Sequence, residues 1–240
     1  MAERTDCVWK TELAAATYLS GIRGAFPMAV EQIDVMLRLM ACCGQPVRRA
    51  LDLGCGDGVL AAAILERLPG VEVTLADFSE PMLEAARNRF SAAGAPVHFV
   101  LADYGAPSWT REVAEWAPYD AIVSGFSIHH QPDERKRAVY QEIFELLSPG
   151  GIFINLEHVS SPTEWTRWLQ DETFIDSLHR HHAEQSREEV ARFYLGRPDK
   201  DANILSPVEE QCAWLREIGF SDVDCYLKLF EVAVFGGRRP

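Results

Sequence analysis

The chain has 240 residues, 48% of them hydrophobic and 25% charged, a globular composition long enough for one sizeable core and a small appended subdomain. Its formal net charge of −13 repels a phosphate backbone, and its basic runs are short (Arg48-Arg49, "ERKR" at 134–137, Arg238-Arg239), so nucleic acid partners are disfavoured. No apolar run reaches membrane-spanning length and the start, "MAERTDCVWKTEL", lacks a signal core, so the expectation is a cytoplasmic protein with no membrane partner. The six cysteines form no CxxC pair, which points to reduced, mostly buried thiols rather than a zinc knuckle.

Residues 11–43 read as helical, with Val30, Ile33, Val35, Leu37 and Met40 near one stripe, Pro27 in a first turn, and Gly44 and Pro46 ending the run. Strand and helix then alternate. "RRALDL" is a short strand, "DGVLAAAILERLP" a helix, and "VEVTLAD" a β-branched strand. "SEPMLEAARNRFSAAG" is a helix that Ser79 can cap, with Pro81 in its first turn and Gly94 at its end. "VHFVLAD" and "YDAIVSGFS" are strands, "DERKRAVYQEIFELLSPGG" is an amphipathic helix, and "IFINLEH" is a further strand. Such alternation implies parallel strands joined by right-handed crossovers, an open α/β sheet with helices on both faces. Residues 160–205 break the rhythm with helically spaced aromatics and histidines and read as a helical insertion. "SPVEEQCAWLREIGF" begins like a capping box, Ser206 with Glu209, and "SDVDCYLKLFEVAVFGGRR" reads as a terminal hairpin.

"ALDLGCGDGVLAAAIL" places Gly54, Gly56 and Gly58 at alternate positions where a strand becomes a helix. Bare backbone there lets a ligand lie at the carboxyl end of a strand, where open α/β sheets bind ligands. The dinucleotide template G-x-G-x-x-G/A fails at Val59, and the lysine of a P-loop is missing. An acid, Asp77, ends the next strand about 20 residues on, where a carboxylate can accept from a ribose diol. Phe78 and Met82 can wall an adenine, Asp103 with Tyr104 ends the third strand, and Asp52 precedes the turn, placed to orient it or to meet a ligand ammonium through water. Each acid alone reads better as a solvated strand end; three at successive strand ends favour ligand binding.

"LDLGCGDG" at 51–58, "LADFSEPML" at 75–83, "LADY" at 101–104, "YDAIVSGFSIHH" at 119–130 and "LLSPGGIFINLE" at 146–157 together resemble, in order, the motifs of class I S-adenosylmethionine (SAM)-dependent methyltransferases of the small-molecule, type 11 or type 12 kind. The resemblance implies a doubly wound Rossmann-like sheet of seven strands, the last antiparallel, with SAM as cofactor and S-adenosylhomocysteine (SAH) as product. It implies a single domain: an N-terminal helical flap (1–46), a SAM-binding core (47–159), a helical lid (160–205) and a C-terminal helix and hairpin (206–240). The cofactor-binding residues it implies are Asp52, Gly54, Cys55, Gly56, Asp77, Phe78, Met82, Asp103, Tyr104 and Ser124. In the flap, Arg23 is a candidate for the methionine carboxylate and Tyr18 for closing over the same end, although a surface Arg and a packing Tyr read as well.

Methyl transfer is an in-line displacement that needs alignment, exclusion of water, and a base only when the nucleophile is protonated. His129, ahead of His130, is the candidate base after the fourth strand, with Glu157 and His158 as second candidates; packing histidines are the plainer reading. "SGFS" lacks the Asn/Asp-Pro-Pro-aromatic loop of base- and glutamine-modifying enzymes and the acid cluster of metal-dependent catechol enzymes. "HRHH" with Asp176 is read as a solvated helix face rather than a metal site, and Trp165 with Trp168 as packing. The expectation is methyl transfer to a small-molecule acceptor, with a homodimer permitted. The rivals are a tRNA- or protein-modifying methyltransferase, an enzyme using a modified SAM, and a non-catalytic SAM-binding regulatory subunit.

Overall fold

The computed structural model describes residues 5–11, 26–91, 94, 96–197, 200 and 202–240. Its centre is a seven-stranded sheet in the order β3-β2-β1-β4-β5-β7-β6. The strands are β1 (Arg49–Leu53), β2 (Glu72–Asp77), β3 (Val97–Leu101), β4 (Tyr119–Gly125), β5 (Leu147–His158), β6 (Ser221–Leu229) and β7 (Val232–Arg238). The first five pair in parallel, and β7 runs antiparallel to both β5 and β6. The doubly wound sheet expected from strand–helix alternation is therefore present, as is the terminal hairpin.

The chain winds from β1 out to β3, then returns to place β4 on the other side of β1. That reversal opens a crevice at the carboxyl ends of β1 and β4, the place where such sheets bind ligands. The helices that clothe the sheet are α1 (Ala29–Ala41), α2 (Val59–Arg67), α3 (Glu80–Phe90), α4 (Trp109–Glu112), α5 (Asp133–Leu146) and α8 (Val208–Ile218), with α6 (Glu164–His181) and α7 (Arg187–Leu195) forming the segment after β5.

Strand alternation sorts the core. Leu51, Leu53, Ile122 and Phe153 face one side and pack on α5 and α8 through Val139, Tyr140, Ile143, Cys212 and Leu215. Ala50, Ala121, Val123 and Ile154 face the other and pack on α1 and α2 through Met36, Met40, Leu60 and Ile64. A small third cluster joins α6 to α7: Phe174, Ile175, Leu178, Val190 and Tyr194, with Phe26 against it.

Three local expectations are corrected. Ser79 stands at the N-cap of α3 but makes no side-chain cap; its hydroxyl donates to the Trp9 carbonyl at 2.7 Å. Helix α3 stops at Phe90, before Gly94. Ser206 does not cap α8, whose N-cap is Pro207; its hydroxyl is taken by Asp133 and Lys136 of α5. For both serines a partner distant in sequence outcompetes the local one.

Candidate functional site

The glycine turn after β1 is left-handed at Gly54, Gly56 and Gly58, with φ of 68°, 55° and 79°. A Cβ on Gly54 would lie 1.9 Å from Ser127 Oγ, and one on Gly58 would lie 2.8 Å from the Phe90 ring, so neither position has room for a side chain. Gly58 offers no side chain to cap α2; instead Asp52, buried on β1, accepts from the third helical N–H, that of Ala61, at 3.1 Å. Placed at a helix N-terminus, that carboxylate also meets the positive end of the helix dipole.

Asp77 ends β2 and faces the turn. Its Oδ2 accepts from Gly56 N and its Oδ1 from Ser79 N, both at 2.8 Å. Burial pushes its pKa up to about 6, opposed by backbone N–H bonds from Ser79, Gly56 and Phe78. A carboxylate has about four lone-pair sites, and the three backbone N–H groups leave one for a hydroxyl donor from a ligand.

Around Asp77 lies a narrow pocket of about 60 Å3, lined among others by Gly54, Gly56, Phe78, Met82, Tyr104 and His130. Tyr104 reaches across the mouth of the turn and bonds Ser127 through its hydroxyl, to the carbonyl at 2.8 Å and Oγ at 2.6 Å. Burial raises the Tyr104 pKa, so it stays neutral. Phe126, at positive φ, stacks on Phe26 at 4.3 Å.

The pocket is roofed by residues that sequence reasoning missed. A 3-10 turn, Thr5–Lys10, contributes Asp6 and Trp9 to the lining. It is tied down by Gln131 donating to Asp6 (2.8 Å), by the Ser79–Trp9 bond, and by Lys10, which lies 5.1 Å from the Phe78 ring centre and 3.8 Å from Asp103. The turn is held by hydrogen bonds to residues 70 and 125 positions away, so no local pattern announces it.

Other anticipated residues stand behind the pocket rather than on it. Cys55 is buried, and burial raises its thiol pKa. Ser124 donates to the Leu53 carbonyl at 2.8 Å, tying β4 to β1. Asp103 accepts from Gly105 N at 2.9 Å. Tyr18 and Arg23 lie outside the described residues. Asp176 pairs with Arg187 at 2.7 Å, and among the described residues no His, Cys, Asp and Glu cluster could hold a metal ion.

At the pocket edge stands a wall of histidines. His130 lines the pocket; His129 does not. The two rings lie 3.9 Å apart, and His129 is 5.6 Å from His158. Glu157, fully buried at the end of β5, holds His129: Oε1 meets Nδ1 at 2.6 Å and Oε2 accepts from the backbone N at 3.0 Å. Burial pushes Glu157 up to about 7 and His129 well below its ordinary value. The Nδ1 of His130 faces the Ala202 carbonyl at 3.1 Å. A carbonyl only accepts, so Nδ1 carries the hydrogen and Nε2 keeps its lone pair. Burial lowers the His130 pKa to about 3, so the ring is neutral at physiological pH.

The donor set fits the adenosyl cofactor that the sequence motifs imply: bare backbone at the turn, an acid with an accepting site to spare, and an apolar wall from Phe78 and Met82. Residues 50–151 match the family described as "Methyltransferase domain". The chain is 36% identical over 115 residues to a demethylmenaquinone methyltransferase of Thermus thermophilus, covering 48% of this chain and 49% of that protein. It is 34% identical over 148 residues to a carboxy-S-adenosyl-L-methionine synthase of Aeromonas salmonicida, covering 60% and 57%. The chain thus spans about half the length of the curated relatives it matches. Its fold is shared with an O-methyltransferase family protein from Burkholderia thailandensis, with a TM-score of 0.68 at 19% identity over 100% of this chain and 64% of that one.

Proposed function

We propose that the chain, whose residues 50–151 match the methyltransferase-domain family, transfers a methyl group from SAM to a small-molecule acceptor by in-line displacement. The observation that carries this reading is the Asp77 carboxylate bonded to Gly56 N at 2.8 Å within one pocket, a hydroxyl acceptor set against bare backbone.

SAM supplies an electrophilic methyl on a sulfonium. The chain's own residues bind, orient and exclude water. Asp77 accepts from a ribose hydroxyl, Gly54 and Gly56 let the ligand lie on the backbone, and Phe78 with Met82 packs against the adenine. Tyr104 closes the pocket floor, while Asp52, Cys55, Ser124 and Asp103 hold the strand ends that present these groups. Tyr18 and Arg23 are assigned to the methionine end. The Thr5–Lys10 turn shields the site, and α6 with α7 serves as a lid. His130 is the base for a protonated nucleophile, because it alone of the anticipated bases lines the pocket and its Nε2 keeps an open lone pair. His129 and Glu157 act through it, fixing the wall in which His130 sits.

The net charge of −13 supports a small acceptor over tRNA. The test is SAH release, followed by mass spectrometry, with a panel of small phenols, amines and carboxylic acids beside bulk tRNA and a protein extract. Turnover with a small molecule alone is expected. Turnover with tRNA or protein alone would refute the acceptor class; SAM binding without turnover on any acceptor would favour a regulatory subunit.

A further inference from the structure

Tyr104 is held at both ends. Its hydroxyl bonds Ser127, in the loop after β4, through the carbonyl at 2.8 Å and Oγ at 2.6 Å. Its own backbone carbonyl accepts from Arg135 Nε at 2.7 Å. Between the two ties the ring is 4% exposed and lines the glycine-turn pocket, with Cε1 3.5 Å from the place a Cβ on Gly54 would take. Arg135 does not line the pocket; it stands behind Tyr104, in the first turn of α5.

Arg135 uses all three of its side-chain nitrogens at once. While Nε serves Tyr104, Nη1 and Nη2 donate to Glu142 Oε1 and Oε2 at 2.8 Å and 2.6 Å. Glu142 lies seven residues on, two turns along the same face of α5, and also accepts from the indole N–H of the fully buried Trp109 in α4. The Arg135 and Glu142 side chains are 13% and 15% exposed. A forked pair of this kind fixes the plane of the guanidinium, and so fixes where Nε points. Helix stability does not ask for this arginine: a cation in the first turn opposes the helix dipole.

Two roles are open to such a clamp. It staples α5 to α4, in which case its loss lowers stability and leaves the pocket alone. Or it fixes the Tyr104 segment, in which case its loss is felt by whatever binds against the ring. The bond to the Tyr104 carbonyl has no part in joining α5 to α4, and it falls on the residue whose hydroxyl is held from the other side. We propose that Arg135 is a positioning residue for the cofactor: it sets the Tyr104 ring against the glycine turn before the ligand arrives, and so sets the affinity for SAM without touching SAM. The role rests on the reading of that pocket as the SAM site.

The test is calorimetric titration of SAM into the wild type, Arg135→Lys, Tyr104→Phe and the double variant, each shown to melt cooperatively. Lysine keeps a charge opposite Glu142, but its single nitrogen does not reproduce the fork together with the Tyr104 bond. Each single substitution should raise Kd about three- to tenfold, the loss expected when one wall residue must be ordered on binding. The double variant should lose less than the product of the two, because both substitutions loosen the same ring. Lys136→Ala, at the next position of α5, is the control: it should lower the urea midpoint and leave SAM affinity unchanged. Should Arg135→Lys not melt cooperatively, Arg135→Gln takes its place. SAM binding that the Arg135 variant leaves intact, single effects that simply multiply, or an equal loss in Lys136→Ala would overturn the positioning role alone. A wild type that does not bind SAM would overturn the reading of the pocket and this role with it.

Discussion

Replacing Glu157 with glutamine makes the energetics of the histidine wall measurable. The two carboxylate oxygens accept from His129 N at 3.0 Å and from His158 N at 2.8 Å, and Oε1 also meets His129 Nδ1. Glutamine offers one oxygen and one NH2. Whichever way the amide lies, the NH2 confronts one of those two backbone N–H groups and leaves it buried without an acceptor, a cost of about 1–3 kcal/mol. Against this stands the charge that glutamine does not carry. Burial raises the Glu157 pKa from 4.5 to about 7, so the folded chain holds that proton more tightly than the unfolded one. The wild type therefore loses stability as pH rises through the window from about 4.5 to about 7, and nothing further above it. That loss is on the order of a few kcal/mol across the window, and glutamine does not share it. Urea unfolding followed by tryptophan fluorescence should find Glu157→Gln less stable than the wild type near pH 4.5, with that deficit shrinking as the pH rises to 8. A deficit that does not change with pH would refute a carboxyl group held part-protonated by its burial.

Other consequences follow from the same contacts. Asp77→Asn should cut SAM affinity at least about tenfold by calorimetric titration, since an amide replaces one carboxylate oxygen that accepts from both backbone and ligand. His130→Ala should lower kcat with little change in SAM affinity, whereas His129→Ala should also lower the urea midpoint, because it strands Glu157. Lys136 is 1% exposed and its amine bonds Asp133, Ser206 and the Ile204 carbonyl. Lys136→Ala should therefore cost about 1–3 kcal/mol in urea unfolding, and an unchanged midpoint would contradict that network.

The sheet was legible in the chain because each strand is a short apolar run closed by a Gly, Pro or acid signal, and each crossover carries a helical period. Asp77 was legible for the same reason: a strand end fixes where its side chain can be. Side chains whose partners lie far off were not legible. Ser79 and Ser206 look like caps by local spacing, yet one bonds Trp9 and the other Asp133 and Lys136. Which of His129 and His130 lines the pocket was not readable either, since adjacent residues differ only in which way a 3-10 turn, Ile128–His130, points them. Glu157 meets His129 because β5 lies beside β4, a pairing 28 residues apart that follows from topology and from no motif.

The central claim is that the glycine turn and Asp77 hold an adenosyl cofactor. Isothermal titration of SAM, SAH and NAD into the wild type and Asp77→Ala tests it most directly. The account predicts micromolar binding of SAM and SAH to the wild type, loss of both in the variant, and no heat from NAD. A wild type that binds neither adenosyl ligand, or binds NAD in their place, would contradict it.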